Sequence, residues 1–183
     1  NSTGSSNTAG GTDSLKANTT GASNTALGYL SLRNNTTASD NTAVGHQALF
    51  TNATGANNVA IGKNALYYNT ASSNTAVGQL AMTNTTTGTN NTAVGQNSLT
   101  ANTTGGANIA IGVNSLDSNT TGADNTGIGF QTLCTLTNGN RNTAVGKNAL
   151  LNMSGSGDRN NTAIGHSAGT NVSTGFNLTL LGY

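Results

Sequence analysis

The feature that most constrains this chain is a five-residue string that returns at a nearly constant interval. The string Asn-Thr-Ala-Val-Gly and its close variants stand at residues 24–28, 41–45, 58–62, 74–78, 91–95, 108–112, 125–129, 142–146 and 161–165. The closing glycines recur every 17 residues, with one spacing of 16 after Gly62 and one of 19 after Gly146. Degenerate copies end at Gly11 and Gly182, which makes about eleven copies. A single period along the chain is the signature of a repeat architecture.

A second motif accompanies the first in most copies. Three residues after the closing glycine comes a small residue, usually followed by Leu, and then a polar turn such as residues 18–21. Seventeen residues are too few for a pair of helices, and Asn, Thr, Val and Gly are poor helix formers. We therefore predict an all-β fold, a parallel β-solenoid of about eleven 17-residue coils with two short strands per coil. The shorter and longer coils differ only in the polar turn, at residues 69–73 and 154–158, where loops tolerate insertions.

Alternation along a strand assigns a face to each position of the repeat. Successive strand residues point to opposite faces, so Thr42 and Val44 share one face and Ala43 takes the other. We predict that Val44 and Leu49 point inward, and that Ala43 and Ala48 belong to an outer surface on which another chain can pack. The Asn row is predicted to hydrogen-bond from coil to coil, and the closing Gly to adopt a positive φ or to allow close packing. In two representative copies, the structural positions are Asn41, Val44, Gly45, Leu49, Asn91, Val94, Gly95 and Leu99.

Composition narrows the classes of function. The chain has 183 residues, of which 31 are Asn, 33 Thr and 25 Gly, while only 6% are charged and the net charge is +1. A nucleic-acid partner needs Lys and Arg to neutralise phosphates, so none is expected. No stretch approaches the roughly 18 apolar residues of a membrane span, and no signal peptide is apparent. We interpret residues 1–183 as one solenoid segment of a longer fibre, whose thin rows of aliphatic residues predict a homo-oligomer, most simply a trimer.

The repeats resemble those of a known family. Asn-Val-Ala-Ile-Gly at residues 58–62 and Asn-Ile-Ala-Ile-Gly-Val-Asn-Ser at residues 108–115 are similar to the head repeats of trimeric autotransporter adhesins. The Asn-Thr-Ala-Val-Gly-x-x-Ala-Leu form also resembles repeat tracts of bacterial surface fibres and phage tail fibres. The resemblance implies a left-handed parallel β-roll in a homotrimer that binds host surfaces. This chain departs from the adhesin heads in its longer repeat and in the Thr that replaces their first apolar residue.

Residues suited to catalysis or metal binding are sparse. The acids are scattered over turns and corners: Asp13, Asp40, Asp117, Asp124 and Asp158. A hydrolytic pair needs two carboxylates within about 5–10 Å of each other. His46 and His166 each follow a repeat glycine, in a slot that accepts many residue types and is expected at an exposed corner. The lone Cys134 is expected to be an exposed thiol. We therefore predict no enzymatic activity, no cofactor and no metal.

The function predicted from the sequence is that of an extracellular, cell-surface or virion fibre segment, acting as stalk or binding head. A glycan or a host-surface receptor is the expected partner, contacted by the exposed aromatic residues Tyr29, Phe50, Tyr67, Tyr68 and Phe130. Two alternatives stay open. The Thr row could form an ice-binding solenoid, although Thr shares its face with the Val assigned to the interior. A tail spike that cleaves polysaccharide would need acids that the sequence does not bring together.

Overall fold

Eleven short strands, one from each coil, form a single parallel sheet. The computed structural model describes residues 3–182, and of Asp158 only the backbone. Consecutive coils contribute consecutive strands of the sheet, so the chain winds as a β-solenoid. No helix occurs within residues 3–182. The predicted all-β parallel solenoid is thus confirmed, while residues 1, 2 and 183 of the predicted segment lie outside the described part.

Each strand of this sheet covers the middle three residues of the repeated string. The eleven strands are β1 Thr8–Gly10, β2 Thr25–Leu27, β3 Thr42–Val44, β4 Val59–Ile61, β5 Thr75–Val77, β6 Thr92–Val94, β7 Ile109–Ile111, β8 Thr126–Ile128, β10 Thr143–Val145, β12 Thr162–Ile164 and β13 Thr179–Leu181. Two further strands, β9 Gly139–Asn140 and β11 Gly157–Asp158, pair with each other in a separate parallel two-stranded sheet. That second sheet occurs where the 19-residue coil has its additional residues.

The register of the main sheet is unchanged by coil length. Across the 16-residue spacing, Val59 of β4 still pairs with Thr75 of β5. Across the 19-residue spacing, Thr143 of β10 pairs with Thr162 of β12. The length changes are therefore absorbed in the polar turn, as predicted, and equivalent residues stack directly above one another along the axis.

The second half of each coil is a run of turns, and the structure has one strand per coil instead of the two predicted. Leu49 and Leu99 both have a φ of +54°, which lies in the left-handed region and is incompatible with a β-strand. The N–H of Ala48 donates to the carbonyl of Gly45 at 3.3 Å, as in a β-turn. Coils remain connected here, since the N–H of Leu49 donates to the carbonyl of Ala65 at 2.9 Å. Turns reverse the chain within a short coil and still satisfy its backbone donors.

The interior lies between the sheet and the turn segment, and its lining corrects the predicted faces. Ala43 of the strand and Ala48 and Leu49 of the turn segment are fully buried. Val44 lies on the outer side and is only partly buried, and Val94 is 36% exposed. The prediction that Leu49 points inward is confirmed. The predicted orientation of the strand residues and of Ala48 is wrong: the strands direct Ala inward and Thr and Val outward. The small residues therefore form no outer packing surface.

The narrow space between the strands and the turn segment explains why Ala, and not Val, points inward. Gly127 replaces the inward Ala in β8, and a Cβ placed there would lie 2.7 Å from Ser115 Oγ, 3.1 Å from Thr132 Oγ1 and 3.4 Å from Leu116 Cγ. At this coil even a methyl group would be too close to its neighbours, and in the other coils the inward Ala of β2–β7, β10 and β12 is already fully buried, so an isopropyl group would be overpacked there. Side-chain volume, more than hydrophobicity, decides which residue points inward.

A row of buried asparagines precedes the strands and connects each coil to the next. Oδ1 of Asn74 accepts hydrogen bonds from the backbone N–H of Asn91 at 3.0 Å and from its Nδ2 at 3.2 Å. Nδ2 of Asn91 also donates to the carbonyl of Gly105 at 2.9 Å. The N–H of Asn41 donates in the same way to Asn24 Oδ1 at 3.0 Å. These amides satisfy backbone groups that would otherwise be buried without partners.

The closing glycines form a second row at the end of the strands. Gly45 and Gly95 both have a φ of +132°, which side chains of L-residues rarely adopt. A Cβ on Gly95 would also lie 2.6 Å from the carbonyl oxygen of Gly112 in the next coil. Both the backbone conformation and the close approach of neighbouring coils therefore require glycine.

Candidate functional site

The outer side of the main sheet, called the outer face below, carries two parallel rows of side chains. The third strand residues form an aliphatic row: Leu27, Val44, Ile61, Val77, Val94, Ile111, Ile128, Val145, Ile164 and Leu181. The first strand residues form a threonine row: Thr8, Thr25, Thr42, Thr75, Thr92, Thr126, Thr143, Thr162 and Thr179. Val59 and Ile109 occupy two further positions of the threonine row. Within the aliphatic row, Leu27, Ile61, Val94, Ile111, Ile128 and Ile164 are between 36% and 45% exposed.

The in-register pairing makes this face a regular array. Thr75 pairs with Thr92, and Val77 with Val94, so like residues repeat at the strand spacing of about 4.8 Å. The array contains hydroxyl and methyl groups and no ionisable side chain. Such a surface is suited to packing against another regular surface. Contiguous exposed apolar side chains of this kind mark interaction sites.

A second surface lies on the turn segments of the first four coils. Lys16 Nζ contacts Asp13 Oδ2 at 3.0 Å, and Arg33 Nε approaches the same oxygen at 3.8 Å. The guanidinium of Arg33 lies 6.0 Å from the ring centroid of Phe50. The ring of Phe50 in turn stacks on Tyr67 with centroids 5.0 Å apart, and Tyr67 meets Tyr68 edge-on at 4.6 Å. We call these six residues, Asp13, Lys16, Arg33, Phe50, Tyr67 and Tyr68, the cation–aromatic strip.

The structure thus brings together three of the five predicted contact residues. Phe50, Tyr67 and Tyr68 belong to the strip, whereas Tyr29 stacks on His46 with centroids 5.3 Å apart. Phe130 contacts none of these aromatic residues in any ring pair of the described region, and it has Lys147 at 5.9 Å from its ring. Sequence analysis did not identify Asp13, Lys16 and Arg33 as neighbours of the aromatic residues. Arg33 precedes Phe50 by 17 residues, and this spacing was the signal that could have placed Arg33 beside the aromatic residues.

Cys134 and Asp117 are neighbours on the turn segment of adjacent coils. Burial raises the pKa of the Asp117 carboxyl, and a hydrogen bond with Thr100 partly opposes this shift. Burial also raises the pKa of the Cys134 thiol, and the negative charge of Asp117 raises it further. Cys134 is half-buried and less accessible than predicted. Since the thiolate is the reactive form, this environment makes Cys134 a poor nucleophile.

The remaining candidates are the two histidines and the scattered acids. His46 and His166 are exposed, as expected for the corner slot. Among the side chains that the structure describes, no three of the types His, Cys, Asp and Glu converge to hold a metal ion. Within residues 3–182 no enclosed pocket is present, and no helix is long and apolar enough to cross a membrane.

Comparison with known proteins gives no relative from which a function could be transferred. No family model, no curated protein and no solved structure matches this chain. The fold, the outer face and the cation–aromatic strip are therefore the observations from which a function is inferred.

Proposed function

We propose that the chain is a non-enzymatic structural or adhesive segment of an extracellular or virion surface fibre, in which identical chains associate through the outer face. The aliphatic row is the observation that carries this proposal. It extends from β2 to β13, and seven of its side chains are more than a third exposed. Covering the row would remove these side chains from water at a gain of roughly 25 cal/mol per Å² of apolar surface.

A second copy of the chain suits this face better than an unrelated partner. Its own rows repeat at the same interval, so every coil of one chain can meet an equivalent coil of the other. Thr, Val and Ile are short and β-branched, which keeps the surface even and costs little side-chain entropy on packing. Three chains around one axis would each bury one sheet, and this arrangement agrees with the resemblance to trimeric adhesin heads. Such an assembly leaves the turn segments free for receptors.

Oligomeric state and its dependence on the outer face test the proposal. Light scattering of the 18.1 kDa chain should give three times the mass of one chain. Val94→Asp combined with Ile111→Asp should dissociate the trimer, since charged side chains cannot be buried there unpaired. Gln79→Asp combined with Gln96→Asp is the matched control, because these exposed corner residues lie outside the outer face. A wild-type monomer at tens of micromolar would overturn the proposal.

One observation also favours an ice-binding function. The threonine row is not on the buried side, as the sequence suggested, but shares the exposed face with the aliphatic row. Hydroxyl and methyl groups that repeat in register from strand to strand are the groups that could order water into an ice-like layer. A freezing-point assay of the purified chain decides between the two functions. Thermal hysteresis from a monomer would establish the second function, whereas a trimer without hysteresis would exclude it.

A further inference from the structure

The cation–aromatic strip is not needed to form the coil. Phe50 and Tyr67 occupy the position that directly follows the buried Leu, and the next two coils have Thr83 and Thr100 there. Thr83 Oγ1 donates to the carbonyl of Asn64 at 3.1 Å, and Thr100 Oγ1 to that of Leu80 at 3.2 Å. A threonine therefore completes this position with a coil-to-coil hydrogen bond. Phe50 and Tyr67 therefore stand where a threonine would serve the fold equally well.

The strip also concentrates side chains that are rare elsewhere in the chain. Only seven of the 183 residues are aromatic, counting four Tyr and three Phe, and only six are Lys or Arg. Three of these aromatic residues and two of these cations form one continuous set of contacts along the axis. Tyr68 is 50% exposed, and Phe50 and Tyr67 are half-buried. The rings thus present open surface to solvent beside two basic groups.

The charges of the strip are only partly paired. A single carboxylate, Asp13, faces both Lys16 and Arg33, and the second pair is 3.8 Å long. These side chains are exposed by about a third or more, and ion pairs in such surroundings are weak and easily exchanged. Apart from Asp13, Arg33 Nη1 donates to Asn34 Oδ1 at 3.1 Å. The five donors of a guanidinium leave capacity for an incoming carboxylate, which it can bind with two parallel hydrogen bonds.

We propose that the cation–aromatic strip binds an acidic polysaccharide that runs parallel to the solenoid axis. The exposed ring of Tyr68 contacts the C–H face of a sugar ring, and the outward edges of the stacked Phe50 and Tyr67 rings extend this apolar contact. Arg33 and Lys16 bind the carboxylates. An extended ligand is required because residues 3–182 enclose no pocket, so contact area must come from length. This proposal deepens the adhesive role stated above by naming the class of receptor.

A single-stranded nucleic acid also combines flat rings with negative charge, but the strip suits it poorly. Nucleic-acid affinity comes mainly from neutralising several phosphates with Lys and Arg. The strip has two such cations and one opposing carboxylate. A polysaccharide that carries at most one carboxylate per sugar, and only one on every second sugar in hyaluronan, can be bound by these two cations together with the apolar contact of the rings.

The experiment measures binding by calorimetry for oligosaccharides of hyaluronan, polysialic acid and alginate, with neutral dextran and an oligothymidylate for comparison. At least one acidic oligosaccharide should bind, and more tightly than dextran. The triple variant Phe50→Thr, Tyr67→Thr, Tyr68→Asn adopts the residues of the next coil, so it should keep the fold. It should weaken binding about tenfold or more. Arg33→Gln should remove the preference for acidic over neutral sugars.

The control is Val113→Gln, which places at another exposed corner position the residue found at Gln79 and Gln96, and it should bind as the wild type does. Three results overturn the proposal: no acidic oligosaccharide binds better than dextran, the triple variant binds unchanged, or oligothymidylate binds most tightly. Light scattering on the same samples separates this proposal from that of the fibre. A monomer that binds acidic sugar supports the strip and overturns the fibre, whereas a trimer that binds none does the reverse.

Discussion

The inner and outer sides of the sheet differ in what limits the choice of residue. Inward positions hold Ala from β2 to β7, and the one exception in the next strand is the smaller Gly127. Outward positions of the aliphatic row alternate freely among Leu, Val and Ile. The inner side is restricted by the short distance to the turn segment, while the side chains of the outer side in β2–β13 are exposed or only partly buried. Uniformity therefore marks the crowded side, and variation in size marks the open one.

Enlarging an inward residue should have the largest effect on stability. Ala93→Val places two additional methyl groups in a space that barely holds one, and overpacking of this kind costs about 3 kcal/mol of unfolding free energy. The neighbouring Val94→Ala changes only the outer face and should cost less than about 1 kcal/mol in the monomer. Urea unfolding followed by circular dichroism measures both. Equal losses from the two variants would show that the two sides do not differ in packing.

A smaller effect is expected where the chain has already adjusted its interior. Thr132 replaces the Ala or Ser of other coils, and its Oγ1 lies 2.8 Å from Ser115 Oγ. Gly127 provides the room for this pair, since a Cβ there would approach both oxygens. Gly127→Ala should therefore cost about 1 kcal/mol, the net of a steric penalty and a gain in chain stiffness.

Combining Gly127→Ala with Thr132→Ala should recover most of that loss, because it restores the pair found in other coils. Ser115 can then donate to its own glycine carbonyl, as Ser98 does to Gly95 at 2.8 Å. A double-mutant cycle in urea gives the coupling energy between the two positions. Strict additivity of the two changes would refute the idea that Gly127 accommodates Thr132.

Several of these features were predictable from the sequence, and others were not. The glycine spacing predicted the solenoid, and the unchanged strand string predicted that length changes fall in turns. Alternation predicted two faces but could not say which is internal, because hydrophobicity favours Val44 inside whereas volume favours Ala43. The near-invariance of Ala beside a variable Val, Ile or Leu was the overlooked signal. Phe50 and Tyr67 are one period apart, so their stacking could also have been predicted, but the left-handed φ of Leu49 could not.

Burial also affects a charged side chain, that of Asp117 on the turn segment. Its pKa is raised above 3.8, mainly by burial, so the folded state binds this proton more tightly than the unfolded state does. Asp117 then lowers stability as pH rises from about 3.8 through the folded pKa. Asp117→Asn should stabilise the protein at pH 7 by no more than about 0.5 kcal/mol, because solvent screens a half-exposed group.

The gain from Asp117→Asn should disappear at pH 3, where both states of the wild type are protonated. Asp117→Thr introduces the residue of the two preceding coils. Its gain in unfolding free energy over the wild type should likewise disappear as the pH falls to 3. Urea midpoints at the two pH values provide the measurement. An equal gain at pH 3 and pH 7 would mean that the change acts through packing or hydrogen bonding, and not through the charge.

The smallest effect on stability, and the sharpest test of what the outer face meets, concerns the two aliphatic residues in the threonine row. Val59→Thr combined with Ile109→Thr should alter unfolding free energy by less than about 0.5 kcal/mol, because both residues point outward. If the face packs against other chains, losing apolar surface should weaken association by about tenfold. If it binds ice, a complete threonine row should raise thermal hysteresis instead. Sedimentation equilibrium and freezing-point measurements on one preparation thus distinguish the two functions, since the variant loses association under the first and gains thermal hysteresis under the second. Because the fold is expected to be unaltered, neither result would come from unfolding.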